Sequence, residues 1–461
     1  MSAPAIGGTP APRTGAPFIG RCLALTLMLL RYREILLWSA VALLAATGFW
    51  WAGRSREPPP TPGRTVISWY VTINSLRDHY EAQVAEFEKL HPNIEVRIFW
   101  VPGSEYNVKL KTLAAAHQLP DLFFSGDVWL SYLLPFTRDI TDLVKRDAAE
   151  FGLDDYFPEI RRAMQLDGKY YILTQEMNLS LLYYNRRMFA EAGLAEPTAN
   201  WTWNDLVRAG RALTHAGKDG RPGVWGCSRV EGWWGEWLIY VRQAGGNVFT
   251  PDGRHCLLDS PAAITGLRFY LEKSSKNHFT APAGYEPVNG FVNERVAMVV
   301  GGHTVYWFNY NQNPALDWDV QLLPAGPATR KGGELAMAGF CISRTSRHPE
   351  EAWALAKFLT RPAAIAAIVA RGSLSVRRSV ADAVMRAPGR RANPHNLEAV
   401  YRQFEFGEPI PHHPNYIEIM GQIIQPEIDR MLLGELTPEE AGRRAAAAGN
   451  AFLTTFDPHP P

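Results

Sequence analysis

The sequence predicts an α/β fold with two lobes. Residues 65–71 form a run rich in β-branched and aromatic side chains, which is typical of a strand. Apolar residues then recur every three or four positions over 76–90, as in an amphipathic helix, and residues 94–100 alternate as a second strand does. This order predicts a parallel strand pair with a right-handed crossover. At 461 residues, the chain is long enough for two lobes.

The charge composition bears on whether the protein binds nucleic acid. The 47 Lys and Arg residues nearly balance the 46 Asp and Glu residues, giving a formal net charge of +1. Without a basic field, a nucleic-acid partner is not expected. The 15 Trp residues indicate either a large core or stacking surfaces.

The N-terminal region contains an apolar segment. Residues 35–53 carry no charge and, at ~1.5 Å per residue, are long enough to cross a hydrocarbon core of ~30 Å. Arginines precede this segment, so we expect an anchor with residues 1–34 on the cytoplasmic side. A removed signal peptide is the alternative. The proline-rich residues 54–64 are expected to be a stiff linker.

Two loops of the first lobe are candidates for a cleft. After a helix over 109–117, residues 120–124 predict a buried strand that is followed by Ser125, Gly126 and Asp127. Ligands of open α/β sheets collect at the carboxyl ends of strands. We therefore expect Tyr70, Asn74, Ser125 and Asp127 at the cleft; for Asp127, the alternative is a helix N-cap.

Residues 169–185 are expected to pass between the lobes. Two apolar runs flank the polar residues 174–178, which include Glu176 and Asn178. In the second run, alternation places Tyr183 and Tyr184 on opposite faces, so both are expected to be buried.

Aromatic residues of the second half complete the candidate site. Three indoles occur between residues 231 and 237, and they cannot all point the same way on a helix. Trp233 and Trp234 are expected to stack on a pyranose ring, with Trp237 in the core; packing of all three is the alternative. Glycines at 301 and 302 allow close backbone approach, which makes His303, Thr304 and Tyr306 further candidates.

Later elements follow from the same patterns. They are helices over 202–215, 260–273, 290–298 and 352–359, strands over 223–228, 319–324 and 338–343, and a helical part over 394–456. Beyond the anchor, Cys227, Cys256 and Cys341 permit at most one disulfide, either Cys227 with Cys256 or none. No metal or cofactor is expected, because His303 lacks partners at metal spacing.

Several motifs together resemble the extracellular solute-binding proteins of ABC transporters, in the sugar-binding branch that includes the maltose-binding protein. The motifs are Tyr184-Asn185, Ala192-Gly193-Leu194, Trp201-Thr202-Trp203, residues 291–298 with the glycines that follow, and residues 338–343 and 349–360. The resemblance covers roughly residues 65–456.

The resemblance implies a two-lobed, type II periplasmic-binding-protein-like fold with hinge crossings near Thr174, Gly326 and Gly372. Lobe 1 would comprise residues 65–174 and 326–371, with part of 264–325 open to assignment there, and lobe 2 would comprise 175–325 and 372–461. Asp127, Glu176 and Asn178 would bind sugar hydroxyls, and aromatic residues, including Tyr416, would stack.

The implied function is that of a monomeric sugar-binding component of an ABC importer, which acts with permease subunits on the extracytoplasmic face and has no catalytic activity. A membrane-tethered carbohydrate sensor is the alternative. A glycosidase is a weaker one, because it needs only two carboxylates, such as Asp127 with Glu176 or Glu231. Peptide, polyamine and glycerol-phosphate ligands remain open, although few basic residues near the proposed cleft count against phosphate.

Overall fold

The computed structural model of the protein describes residues 37–44, 47, 61–72, 76–216, 222–229, 233–280, 287–371, 373–387, 393–411 and 413–455. The chain forms two compact units, Met1–Thr61 and Pro62–Pro461. In the first unit, residues 37–44 are helical and exposed. The rest of the expected anchor lies outside the described residues, apart from residue 47.

Among the described residues, no single helix is both long and apolar enough to span a membrane. One pair, Pro349–Leu359 and Pro362–Val369, passes the same test of length and composition together, with a bend of 51° between the two helices. Both helices contribute side chains to a hydrophobic core of the second unit.

The second unit is built on an eight-stranded mixed sheet. The strands have the order β10-β6-β11-β3-β1-β2, with β12 beside β11 and β9 beside β6. Their bounds are β1 Thr65–Thr72, β2 Ile94–Val101, β3 Leu122–Gly126, β4 Gln165–Leu166, β5 Lys169–Tyr170, β6 Leu173–Asn185, β7 His215–Ala216, β8 Pro222–Val224, β9 Met298–His303, β10 Trp318–Gln321, β11 Gly333–Ile342 and β12 Gly407–Pro409. Strands β4 with β5, and β7 with β8, form two small separate sheets.

The predicted βαβ unit is present. Strands β1 and β2 are parallel, from the pair Thr65 and Ile94 to the pair Thr72 and Val101. The helix between them, Arg77–Leu90, buries Tyr80, Val84 and Phe87, the side chains whose spacing predicted it. Its N-cap is Leu76 without a side-chain hydrogen bond.

Helices cover the sheet and extend from it. The α-helices that follow Arg77–Leu90 are Gly103–Ala115, Asp127–Leu133, Thr141–Asp147, Pro158–Ala163, Arg186–Glu191, Trp203–Leu213, Gly235–Gln243, Pro261–Ser275, Pro287–Val292, Trp307–Tyr310, Pro349–Leu359, Pro362–Val369, Arg378–Met385, Leu397–Arg402, Tyr416–Glu418, Gln425–Leu432 and Pro438–Thr455. The predicted helix over 202–215 is present as Trp203–Leu213 and begins with a capping box, in which Asp205 accepts from the backbone N–H of Thr202 at 2.8 Å.

The predicted helix over 290–298 is wrong for most of its length. The helix Pro287–Val292 ends early, Glu294 has a positive φ of 55°, and β9 begins at Met298. Antiparallel pairing of β9 with β6 explains this outcome, because it satisfies the backbone of an apolar run that also has helical spacing. The three cysteines beyond residue 61 are free, buried thiols, so the Cys227–Cys256 disulfide does not form.

Two hydrophobic cores share strands β6 and β11. Leu179, Leu181 and Tyr183 pack in the first core, while Leu182 and Tyr184 pack in the second. Successive side chains of a strand point to opposite faces, so each face of β6 supplies a different core. The predicted burial of both tyrosines is confirmed, with exposures of 0% and 2%.

A β-bulge links these two strands. The β6–β11 register shifts between Ala338, which faces Glu176, and Gly339, which faces Thr174. A Cβ atom at Gly339 would lie 2.2 Å from the carbonyl oxygen of Leu173, which is backbone and cannot move aside cheaply. The bulge therefore requires glycine at this position.

Substitution Gly339→Ala is expected to lower the free energy of unfolding by about 1–3 kcal/mol, because the added methyl group overlaps the backbone of Leu173. Gly103→Ala is the matched control, since nothing lies within 4 Å of its added Cβ. Urea denaturation of both variants measures the difference, and equal stabilities would contradict the proposed role of the glycine.

Candidate functional site

One face of the β6–β11 pair carries polar side chains near the middle of the sheet. Directly opposed residues of antiparallel strands share a face, and the pairs here are Asn178 with Ala336 and Glu176 with Ala338. Glu334, two residues before Ala336, lies on the same face by alternation. The residues opposite Asn178 and Glu176 are thus alanines, which have short side chains.

Glu334 connects this face to two aromatic rings. Its carboxylate accepts a hydrogen bond from Trp234 Nε1 at 3.1 Å. His303 Nε2 lies 3.2 Å from the other carboxylate oxygen, but its ring is not oriented for a hydrogen bond. The Glu334 side chain is only 3% exposed. A buried carboxylate thus lies at the centre of the site.

Aromatic rings form the opposite wall. Trp234 packs edge-to-face on Tyr416 with ring centroids 5.6 Å apart, and Trp233 lies 6.0 Å from Trp234 and 4.8 Å from His303. Tyr416 is 1% exposed, and its hydroxyl has no hydrogen-bond partner in the described structure. A buried phenolic hydroxyl usually has a partner, so this atom is available to a ligand.

Asp127 closes the site at the end of β3. It is the first residue of the helix Asp127–Leu133, whose N-cap is Gly126, so the N-cap alternative is wrong by one position. Its carboxylate accepts from the backbone N–H of Val128 at 2.8 Å and of Met337, in β11, at 3.2 Å. Burial, followed by the charge of Glu334, raises the pKa of Asp127 to about 8, and the backbone hydrogen bonds oppose this shift.

The polar residues of β6 lie next to Asp127 and Glu334 on the sheet. Burial raises the pKa of Glu176 to about 7. Asn178 Oδ1 accepts from the hydroxyl of Thr304 at 3.1 Å, which joins β6 to the turn after β9. Gln175 is buried and accepts from the hydroxyl of Tyr80 at 2.6 Å.

The helix Gly235–Gln243 holds the tryptophan pair in place. Trp234 is its N-cap, and a Cβ atom at Gly235 would meet the Trp233 ring at 2.0 Å, so glycine lets that ring lie over the helix start. Glu236 forms an ion pair with Lys273, and both side chains are 0% exposed. Trp237, as predicted, is a core residue with 0% exposure.

The C-terminal helices support Tyr416 from behind. After Tyr416–Glu418 the chain forms a π-helix, Ile419–Ile424, and then Gln425–Leu432, which contains Pro426. Proline has no amide hydrogen and clashes with the preceding turn, which accounts for a wider turn before it. Gln425 accepts from Trp237 Nε1 at 2.9 Å, so this segment is tied to the tryptophan helix.

The structure therefore brings seven of the sequence-predicted residues into one cluster, called the cleft cluster below, together with Glu334. They are Asp127, Glu176, Asn178, Trp233, Trp234, His303 and Tyr416.

Three other predicted residues lie elsewhere. Ser125 pairs with Gly339, so its side chain points to the opposite sheet face from Glu176. Tyr70 shares that face with Ser125 and stacks on Phe99 with centroids 4.8 Å apart. Tyr306 packs near Tyr310 and the first core. The candidate Asn74 lies outside the described residues.

Sequence reasoning missed Glu334, although a signal was present. The strand 333–342 is apolar apart from this one carboxylate, which follows two glycines. A lone acidic residue in a buried strand needs a polar partner or a function. No group of three or more His, Cys, Asp or Glu side chains in the described ranges is arranged to hold a metal ion.

Asp127 should make stability depend on pH. Its pKa of about 8 exceeds the value near 4 expected in the unfolded chain, so the folded protein binds more protons between these values. The free energy of unfolding is therefore expected to fall as pH rises from about 5 to about 8, and Asp127→Asn should flatten this slope. Urea denaturation across this range measures both slopes.

The exposed Asp382 provides the matched control, since Asp382→Asn should keep the wild-type slope. An unchanged slope in Asp127→Asn would contradict the proposed buried, protonated carboxyl group.

The buried pair of Lys273 and Glu236 should be sensitive to the loss of one partner. Lys273→Met is expected to lower the free energy of unfolding by about 3–5 kcal/mol, because the buried carboxylate of Glu236 loses the ammonium group of its ion pair. The double variant with Glu236→Met should recover part of the loss. Lys276→Met, at an exposed amino group, serves as the control and should change stability little. An equal loss of unfolding free energy in Lys273→Met and Lys276→Met would contradict a stabilising ion pair between Lys273 and Glu236.

Comparison with known proteins identifies chains with a similar fold. Solved structures similar to the chain include an ABC substrate-binding protein of Listeria monocytogenes in complex with cycloalternan, with a TM-score of 0.72, 25% identity, and coverage of 85% of this chain and 99% of the other. Another is an ABC transporter solute-binding protein of Thermotoga lettingae bound to α-D-tagatose, with a TM-score of 0.69, 25% identity, and coverage of 84% and 100%. The predicted two-lobed α/β fold is thereby confirmed.

Sequence comparison leads to the same group. A putative binding protein of Brucella abortus is 25% identical over 295 residues, which cover 61% of this chain and 68% of the relative. Residues 74–366 match the family model described as bacterial extracellular solute-binding protein. The chain therefore belongs to the bacterial extracellular solute-binding protein family.

Proposed function

We propose that this protein binds a sugar or oligosaccharide in the cleft cluster and delivers it to the permease of an ABC importer. The observation that carries the proposal is the arrangement around Glu334, where a buried carboxylate lies between the polar face of β6 and β11 and the wall formed by Trp233, Trp234 and Tyr416. Relatives that bind carbohydrates support the sugar assignment.

The chemistry of the cluster suits a carbohydrate. Sugar rings have apolar faces that pack on indoles, and their hydroxyls both donate and accept hydrogen bonds. Glu334, Asp127 and Asn178 supply acceptor oxygens, while Tyr416 supplies a hydroxyl without a partner in the described structure. We propose that the indole faces set ring orientation and that the carboxyl groups select hydroxyl positions.

Ligand binding would close the cleft by hinge motion. A ligand shifts a conformational equilibrium only through contacts that differ between the two states. Trp234 and Tyr416 pack in the second core, whereas Glu334 lies on β11, whose opposite face packs in the first core through Leu335 and Met337. A sugar that touches both walls would therefore favour the closed arrangement. The lobe boundaries and the three hinge crossings given by the sequence remain predictions.

The family consists of binding proteins, which confirms the prediction that the chain is not an enzyme. Membership of this family also agrees with an extracytoplasmic location. We further propose that residues 35–53 anchor the protein to the membrane, on the basis of their uncharged composition, and that it works as a monomer.

A thermal-shift screen of the full-length protein against mono- and oligosaccharides tests the function. At least one sugar should raise the melting temperature by several degrees at saturating concentration. Trp234→Ala should abolish the shift, because it removes both the indole face and the hydrogen bond to Glu334.

Trp100→Ala, in β2 at the far edge of the sheet, is the control and should keep the shift. A melting temperature unchanged by every sugar would overturn the proposed function.

A further inference from the structure

The carboxyl groups of the cleft cluster lack basic partners. Asp127 and Glu334 are 5% and 3% exposed, and Glu176 shares the sheet face of Glu334. In the described parts of the chain, no ion pair joins a Lys or Arg side chain to any of these three groups; Glu334 has only the imidazole of His303 at 3.2 Å. Buried carboxylates without a compensating cation are unfavourable.

One guanidinium reaches the edge of the cluster. Arg242, on the helix Gly235–Gln243, is 7% exposed, donates to the carbonyl of Gly332 at 3.4 Å and acts electrostatically on Tyr416. It does not form an ion pair with the three carboxyl groups in the described structure, so they outnumber the nearby basic side chains. The protein without ligand relieves the excess by holding protons, as the raised pKa of Asp127 shows.

Once a cation displaces the protons of the carboxyl groups, the free polar atoms of the site are mostly acceptors. Ionised carboxylates only accept hydrogen bonds, and the Tyr416 oxygen has lone pairs and no partner in the described structure. An ammonium group has three donors and no acceptor, and it interacts favourably with the faces of tryptophan and tyrosine rings. Trp233, Trp234 and Tyr416 place such rings beside the carboxyl groups.

We propose that the preferred ligand is a carbohydrate bearing a protonated amino group, held with its ammonium between Asp127, Glu334 and the hydroxyl of Tyr416. This inference rests on the proposed sugar-binding function and narrows it. The ammonium neutralises the buried carboxylates, and the remaining sugar ring packs on the indoles.

Isothermal titration calorimetry of the full-length protein at about pH 6, where aliphatic amines are protonated, tests the inference. The probes are matched pairs that differ by one amino group on each sugar residue: glucosamine with glucose, galactosamine with galactose, and chitosan oligosaccharides with cello-oligosaccharides. At least one amino sugar should bind about tenfold or more tightly than its neutral counterpart, as expected for charge-assisted hydrogen bonds.

Variants identify the group responsible. Glu334→Gln should reduce the ratio of affinities within a pair toward one, whereas Glu408→Gln, on β12 outside the cluster, should leave it unchanged. Loss of the preference in both variants, or in neither, would overturn the assignment to Glu334. The wild-type ratio remains decisive if Glu334→Gln does not fold.

The remaining outcomes separate the two proposals. Equal or tighter binding of the neutral sugars would overturn the charged-ligand inference and leave the sugar-binding function in place. Absence of binding by every member of all three series would count against both.

Discussion

The antiparallel pairing of β6 with β11 is the constraint on which the rest of the structure depends. Because side chains alternate along a strand, one face of this pair fills the first core and the other face meets the second core and the cleft cluster. A register shift by one residue would exchange the two sets of side chains. The bulge at Gly339 helps to fix the register, since the close backbone approach there disfavours any residue with a Cβ atom.

Glu176, Asn178 and Glu334 are polar side chains on one face of this pair. Glu334 is buried at the cost of its hydration, which its hydrogen bond from Trp234 offsets only in part. Asp127 accepts backbone hydrogen bonds from Val128 and Met337, yet its pKa is raised, so desolvation and the charge of Glu334 together outweigh those bonds. Such perturbed groups at the junction of two cores are expected where a ligand supplies the missing interactions.

The walls of the site are held by interactions outside it. The ion pair of Lys273 with Glu236 fixes the first turn of the helix that follows Trp234, and Gln425 ties that helix to the segment carrying Tyr416. Rings that are fixed in this way lose little freedom when a sugar binds, which favours affinity. The ammonium group of this buried lysine lies over the rings of Tyr240 and Tyr270, so it supports the helix from outside the cluster.

The sequence by itself determined the fold class, the family and most of the aromatic and acidic residues now found together. These follow from local patterns: helical spacing in residues 76–90, a capping box at Thr202 and Asp205, and clustered indoles before Trp237. The family resemblance, which rests on ordered motifs, is confirmed by the family match.

Only the tertiary structure decided which face each strand residue occupies and which partner each carboxylate has. Ser125 and Tyr70 lie on the face opposite Glu176 because register, which depends on strands far apart in the chain, sets their direction. The sequence did not reveal that Glu334 joins the cluster, because its partners Trp234 and His303 lie 100 and 31 residues away along the chain. Local sequence patterns carry no information on such pairings, because long-range packing fixes them.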